Sequence, residues 1–260
     1  MISKRLIAGS RIFARGYRPA GFEYINPINS RGPLKYGKDS PQYKVLSHTL
    51  AKSVPMYGFN ERAIVNSLNE LGYPSTMLSV IGSSNGPSFF HSSPALMELL
   101  KFHLVDKRLN LTENISLETP VDQLPSLEHL VIKRLEMNVP VAKHLSQLLS
   151  QLSIPGPFLV DYSMPELHRL SDDMIYFSTE KDHNDFAWYS KRLAVSCAYV
   201  SSELFMAQDR SPDYKETFEF AREKLHRVST LGEYYNNTEE FAWYTLLSTI
   251  NLVKSQLARG

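Results

Sequence analysis

Two Glu-x-x-His motifs are the residues of this chain whose types and spacing best suit metal chemistry. Glu180 with His183, and Glu223 with His226, have the spacing that di-iron carboxylate bundles use. The first pair lies in the wholly polar segment STEKDHND and the second in the charged segment AREKLHR. Neither segment offers the apolar, inward-facing helix side that a buried metal site needs. We therefore expect solvated surface pairs, no metal site and no other cofactor.

The single cysteine, Cys197, is the one thiol that could act as a nucleophile. It lies on an apolar stripe of a helical segment, where a buried and unreactive thiol is the usual state. One cysteine cannot form an internal disulfide, and the chain contains neither a glycine-rich phosphate loop nor a Cys-x-x-Cys pair. The sequence therefore predicts no catalytic residue and a protein that is not an enzyme.

The elements that carry these residues are predicted to be helices. From about residue 42 onward the apolar residues recur at three and four positions, which is the helical period. Two helices begin this series, and Gly58 and Gly72 are suited to cap their C-terminal ends. A short third helix ends at Gly82, and the fold class is all-α. Further helices fit about 88–105, 123–138, 140–152, 164–178, 185–208, 211–230 and 238–258.

The segment from Ser211 to Asp213 has the composition of a helix start. The hydroxyl of Ser211 can cap the first turn, and Pro212 suits the first helical position. The carboxylate of Asp213 would then meet the positive end of the helix dipole. We expect a helix to begin at this point.

The helix order resembles that of tetracycline-repressor-like regulators, in which the second and third helices form a DNA-binding helix-turn-helix. The expected fold is a bundle of about ten helices, with a degenerate N-terminal helix-turn-helix and an amphipathic C-terminal helix. Between Ala63 and Leu100 the chain has no Lys or Arg, whereas Glu70 and Glu98 are present. A recognition helix without basic residues cannot neutralise phosphates, so nucleic-acid binding is not expected.

The N-terminal residues differ in composition from the rest. Five basic residues precede the first acidic residue, Glu23, and removing residues 1–22 changes the formal charge from +1 to −4. An amphipathic, Arg-bearing leader without acids is typical of a mitochondrial transit peptide. Residues 23–41 are predicted to be a linker, 42–232 one all-α domain and 233–260 an amphipathic C-terminal helix.

The long helix over 185–208 has two apolar sides. Either the helix runs through the middle of the bundle, or its second side, beginning with Trp188 and Tyr189, is exposed to a partner. From the spacing alone both alternatives stay open. The first side, which a bundle core would bury, carries Phe186, Leu193, Cys197, Val200 and Leu204. The second side carries Trp188, Val195, Tyr199 and Met206.

The last helix has one narrow apolar stripe. It could pack on its own domain or lie in a membrane interface with Trp243 at headgroup level. Half-burying six such side chains in lipid would contribute roughly 5 to 9 kcal/mol, which suffices for reversible attachment. The stripe consists of Trp243, Leu246, Leu247, Ile250, Val253 and Leu257.

Three segments resemble a known family. DDMIYFS (172–178), DFAWYSKR (185–192) and SSELFMAQDRSPDYKETFEFAREKL (201–225) are similar to the ninth protein of the mitochondrial coenzyme Q (ubiquinone) biosynthesis series. The resemblance implies a tetracycline-repressor-like fold without DNA binding and a non-catalytic protein that binds isoprenoid or quinone-type lipid. It also implies peripheral attachment to the matrix side of the inner mitochondrial membrane. Partners would be the di-iron demethoxyubiquinone hydroxylase and other members of the biosynthetic complex, with a homodimer left open.

The resemblance also assigns roles to residues. The hydroxylase-docking surface would comprise Met174, Ile175, Asp185, Trp188 and Tyr189, with Arg192 beside it, and this favours the exposed alternative for Trp188. The lipid would lie along Leu193, Cys197, Val200 and Leu204. Ile175, Tyr214 and Phe218 depart from the residues that relatives often have, and the smaller Ile175 would weaken its contact. Alternative functions are a di-iron enzyme of the same pathway and a regulator that has lost DNA binding.

Overall fold

The computed structural model describes residues 34–86, 93–116, 119–179 and 187–233. In these ranges every regular element is helical and no strand occurs, so the all-α class is confirmed. The leader and the predicted C-terminal helix lie outside the described residues.

The α-helices are α1 Pro41–His48, α2 Val54–Tyr57, α3 Glu61–Glu70, α4 Met77–Gly82, α5 Pro94–Thr112, α6 Leu127–Glu136, α7 Leu145–Leu152, α8 Met164–Tyr176, α9 Ala187–Met206 and α10 Lys215–Glu233. Short 3₁₀ helices cover Val121–Gln123, Val139–His144 and Pro212–Tyr214.

Two π-helical segments interrupt the α-helical runs, at Thr49–Ser53 and Leu159–Ser163. Each ends two residues before a proline, Pro55 or Pro165. A proline ring collides with the carbonyl four residues earlier in a regular α-helix, and it has no N–H to bond to that carbonyl. The wider π turn moves that carbonyl away from the ring, which explains why these helices continue past their prolines.

The described residues fall into two compact units, which we treat separately. The first unit contains residues 34–86, 93–107 and 137–166, and the second contains 108–116, 119–136, 167–179 and 187–233. Their boundaries fall inside α5, directly after α6 and inside α8. Both units contribute to the range 42–232 that the sequence predicts to be one domain, and that domain assignment stays a prediction.

In the first unit, α1, the following π turn and α3 pack around a small apolar core. The hydroxyls of Ser53 and Ser67 lie 2.8 Å apart inside it, so each satisfies the other's buried polar group. A buried ion pair joins Lys101 Nζ to Glu98 Oε2 at 3.0 Å. The apolar core residues of this region include Val45, Leu46, Val54, Phe59, Ala63, Ile64 and Leu68.

In the second unit, α9 packs chiefly against α10, and both helices contact α6. The rings of Phe205 and Phe220 stack between α9 and α10 with their centroids 4.6 Å apart. Arg222 of α10 pairs with Glu128 of α6 at 3.2 Å, at the exposed edge of this contact. The buried apolar residues include Leu130, Val131, Leu135, Val195, Met206, Ala221 and Leu225.

A helical turn does begin after Ser211, whose hydroxyl accepts from the backbone N–H of Glu216 at 3.1 Å, but this turn is a 3₁₀ helix and the α-helix starts one turn later than predicted. Asp213 and Tyr214 have φ angles of 55° and 57°, in the left-handed region, so the regular helix α10 begins only at Lys215. The carboxylate of Asp209 caps it by accepting from the backbone N–H of Thr217 at 3.0 Å. Although burial acts to raise it, the pKa of Asp209 is lowered by hydrogen bonds from Thr217 and Ser211.

Within the described ranges, no helix is long and apolar enough to cross a bilayer.

Gly58 and Gly72 end their helices with positive φ angles, 77° and 72°, which confirms both predicted caps. At the first position the turn is also clamped by Gln147. Its amide donates to the Phe59 carbonyl and accepts from the Phe59 N–H, each at 3.0 Å. A Cβ at Gly58 would lie 2.5 Å from Gln147 Oε1, whereas a Cβ at Gly72 would meet nothing within 4 Å.

Replacing each of these glycines by alanine tests how much more strictly the clamped turn at Gly58 requires glycine than the open turn at Gly72 does. Gly72→Ala should cost about 1 to 2 kcal/mol, the left-handed penalty alone. Gly58→Ala should cost at least about 1 to 2 kcal/mol more, because Gln147 must move and its bonds to Phe59 weaken, and because the ψ of −173° at Gly58 is unfavourable for alanine. Urea unfolding of the two variants measures the difference. Equal losses of stability would contradict the clamp.

Candidate functional site

Helix α9 carries most of the residues predicted to bind lipid or a partner. Its inward side is formed by Val195, Tyr199 and Met206, which are all buried. The alternative in which this second apolar side is exposed is therefore wrong for these three residues. Trp188 belongs to α9, but its side chain lies outside the described part of the chain.

The predicted lipid-binding stripe is only partly buried. Cys197 and Leu204 are buried, Val200 is half-buried and Leu193 is 38% exposed. The expectation that a bundle core buries this whole side of α9 is therefore corrected at Leu193. The physical reason is the orientation of α9, which directs Arg192 and Val195 inward and leaves Leu193 at the surface. Lipid binding by the stripe stays a prediction.

The residues predicted to form the docking surface lie in different environments. Met174 and Ile175 are buried, so the expectation that their side chains line an exposed surface is corrected. Arg192, predicted to lie beside that surface, is also buried. Tyr189 is 72% exposed. Asp185 lies outside the described residues. Their assigned role in partner binding stays a prediction.

Tyr189 and Leu193 form what we call the outer pair. They are four residues apart on α9, so their side chains lie one above the other on the same side of the helix. Both are exposed large apolar residues. An aromatic ring with a polar tip beside an aliphatic side chain has the composition of an interface anchor.

Two buried ion pairs hold α8 to its neighbours in the second unit. Arg192 of α9 donates through Nε to Asp172 Oδ1 at 2.8 Å. Arg108, in α5, donates through Nη1 to Asp173 Oδ2 at 2.9 Å. Removing one partner of a buried pair leaves an uncompensated charge and typically costs about 3 to 5 kcal/mol. The first pair therefore fixes how α9 sits against α8, and the second fixes how the end of α5 sits against it.

The imidazole of His168 lies one turn before Asp172 on α8. Its partial burial lowers its pKa from the usual 6.5, although the charge of Asp172 acts to raise it. The ring is therefore neutral near pH 7 and brings no further positive charge to the Asp172–Arg192 pair.

The inward side of α9 also carries polar groups farther along the helix. The guanidinium of Arg134 lies over the ring of Tyr199, with its carbon 5.5 Å from the ring centroid. The hydroxyl of Tyr199 donates to the carboxylate of Glu203, which is itself buried. This side of α9 therefore packs through charge and aromatic contacts as well as through hydrocarbon.

Of the two Glu-x-x-His motifs, the structure describes the second, Glu223 with His226. Glu223 pairs with Arg227 at the surface, and His226 is also exposed. This exposure does not suit the buried ligand set of a di-iron bundle. Among the described residues, no three His, Cys, Asp or Glu side chains are grouped so that they could hold a metal ion. Glu180 and His183 lie outside the described residues.

Sequence reasoning missed Asp172 and Asp173 as structural residues. The sequence feature that could have indicated them is a pair of adjacent acids next to the apolar residues of DDMIYF. In the structure all six of these side chains are buried. A buried carboxylate requires a cationic or hydrogen-bonding partner, so Arg192 could have been considered as an internal partner. Spacing along one helix could not identify the pairing, because Arg192 lies on a different helix.

Comparison with known proteins shows that helices α8, α9 and most of α10 lie in a segment that matches a protein family. The sequence profile of the COQ9 family matches residues 160–232, which include α8, α9 and most of α10. The chain is 67% identical to "Ubiquinone biosynthesis protein COQ9, mitochondrial" of Saccharomyces cerevisiae over 249 residues, 95% of each chain. It is 53% identical to the protein of the same name from Eremothecium gossypii, covering 96% of this chain and 99% of the relative. The Homo sapiens protein of that name is 25% identical, covering 82% and 69%.

Cys197 gives a pH-dependent test of the burial of α9. Burial raises the pKa of its thiol from 9.0 to about 11, so the thiolate is disfavoured in the folded protein. We expect iodoacetamide to label folded Cys197 slowly at pH 9, and unfolded protein to react much faster. The folded state should lose stability as the pH rises above 9, because only the unfolded thiol ionises freely there. Mass spectrometry measures labelling, and equal rates in both states would contradict burial.

Proposed function

Because this chain belongs to the COQ9 family, and the relatives named above are called mitochondrial ubiquinone biosynthesis proteins, we propose that it serves ubiquinone biosynthesis as a lipid-binding accessory protein. It has no catalytic role in this proposal. It binds an isoprenoid or quinone-type lipid and presents it to the di-iron demethoxyubiquinone hydroxylase. The 67% identity over 95% of both chains is the single observation that carries the pathway assignment.

The exposed end of the lipid stripe supports lipid binding. Leu193 is exposed at one end of the stripe, and Cys197 and Leu204 are buried farther along it. A polyprenyl chain that lies along these residues can pass from the exposed Leu193 to the buried part of the same stripe at Cys197 and Leu204. Burial of each apolar side chain against the lipid contributes about 0.8 to 1.5 kcal/mol when half of its surface is covered.

The outer pair supports docking. Tyr189 offers a large exposed contact area, and Leu193 extends the apolar contact on the same side. Asp185 and Trp188 extend this surface in the proposal. The hydroxylase would then meet the protein where the lipid stripe reaches the surface, so lipid transfer would need only a short path.

The sequence beyond residue 233 supports attachment to a membrane. The amphipathic stripe from Trp243 to Leu257 suits a helix that lies in the interface of a bilayer. With the basic leader at 1–22 removed after import, the protein would act as a peripheral protein on the matrix side of the inner mitochondrial membrane. Such a location brings the lipid stripe close to the membrane that supplies the lipid.

Mass spectrometry of organic extracts from the purified protein tests this proposal. We expect an isoprenoid or quinone-type lipid to co-purify, and Leu193→Asp to reduce its amount roughly four- to tenfold, because a charge replaces apolar contact. Leu193 is exposed, so this variant should fold. Val160→Asp is the matched control, since Val160 is an exposed aliphatic residue of the first unit and should leave the lipid content unchanged. An extract without isoprenoid lipid would overturn the proposal.

A further inference from the structure

We propose that Asp172 is a positioning residue for hydroxylase docking, and that Arg192 supports docking through Asp172 instead of touching the partner. This inference rests on the proposed function, because it explains how the outer pair, Tyr189 and Leu193, is held ready to bind. The observation behind it is the buried bond from Arg192 Nε to Asp172 Oδ1.

The burial of Arg192 argues against direct contact with a partner. Its residue surface is 1% exposed, and its guanidinium is already hydrogen-bonded to a carboxylate that is itself buried. To reach a protein docked outside, the side chain would have to break this pair and leave Asp172 as an uncompensated buried charge. The energetic cost of that exchange favours an internal role.

The position of Arg192 on α9 explains what that role is. It follows Tyr189 by three residues and precedes Leu193 by one, and it is the first side chain of α9 that the structure describes as buried. Successive helical residues turn by about 100°, so fixing Arg192 inward sets the rotation of this part of α9 about its axis. That rotation directs the outer pair toward the surface.

The first two turns of α9 depend on this bond more than the rest of the helix does. The next inward anchors, Val195 and Tyr199, lie one and two turns farther along. Helix ends open locally at a lower free energy than helix centres. Loss of the Asp172–Arg192 pair should therefore loosen residues 189–195 and leave the later turns in place.

Asp173 provides a matched control within the same helix. It is the neighbouring residue of Asp172, has the same side chain, is equally buried and also binds an arginine. Its partner, however, is Arg108 of α5. Asp172→Asn and Asp173→Asn should therefore cause similar losses of global stability, while only the first should act on the start of α9.

Hydrogen exchange tests the anchor without any partner. At a temperature where both variants are folded, the amides of 189–195 should exchange several-fold faster in Asp172→Asn than in Asp173→Asn, with the amides of 200–206 alike in both. If 189–195 exchange equally in the two variants, the anchor is refuted. Should Asp172→Asn not fold, Arg192→Gln, which removes the other partner of the same pair, replaces it with the same expected pattern.

Affinity for the purified di-iron hydroxylase, measured by surface plasmon resonance, tests the positioning role. Asp172→Asn and Arg192→Gln should each weaken binding about tenfold, and the double variant should bind no worse than either, since both changes break one pair. Asp173→Asn should bind like the unmodified protein. Loss of affinity with Arg192→Gln but not Asp172→Asn would mean direct contact and would overturn the inference, as would equal losses in Asp172→Asn and Asp173→Asn.

The two experiments separate this inference from the proposed function. If the unmodified protein does not bind the hydroxylase, the docking function fails, and the positioning role fails with it. The hydrogen-exchange result would in that case still decide whether Asp172 anchors α9. If the unmodified protein binds and the exchange pattern is absent, the docking function stands and the inference fails.

Discussion

Two adjacent aspartates on one buried helix determine how the second unit is arranged. Asp172 holds α9 through Arg192, and Asp173 holds α5 through Arg108, in bonds of 2.8 and 2.9 Å. Each carboxylate is buried, so each requires its arginine, and neither pair can be broken without leaving a charge inside the protein. The orientation of α9, and therefore the surface that it offers, follows from this requirement.

That orientation gives α9 two different sides, which the proposed function uses together. On the inward side, the ring of Tyr199 contacts the guanidinium of Arg134 and its hydroxyl donates to Glu203. This side therefore belongs to the interior of the unit. Tyr189 and Leu193 are left exposed, and the apolar stripe that begins at Leu193 continues to buried Cys197. A lipid-presenting protein needs such an arrangement, with an apolar path that reaches the surface at the place where a partner docks.

Much of the fold follows from the sequence because it depends on local signals. The helical period predicts the all-α class, and Gly58 and Gly72 adopt the positive φ angles that their positions at helix ends predict. The inward side of α9 could not be predicted in this way, because both sides are apolar and the deciding bond joins residues on separate helices. The same limit applies to the start of α10, where Asp209 supplies the cap from outside the expected segment.

Site-specific photo-crosslinking tests the central claim, that the start of α9 presents a docking surface, most directly. A benzoyl-phenylalanine would replace Tyr189, and in a control it would replace Tyr57, an exposed tyrosine of the first unit. After irradiation with the purified di-iron hydroxylase, we expect a crosslinked complex from position 189 and little or none from position 57. No crosslink from position 189, or equal yields from both positions, would contradict the claim.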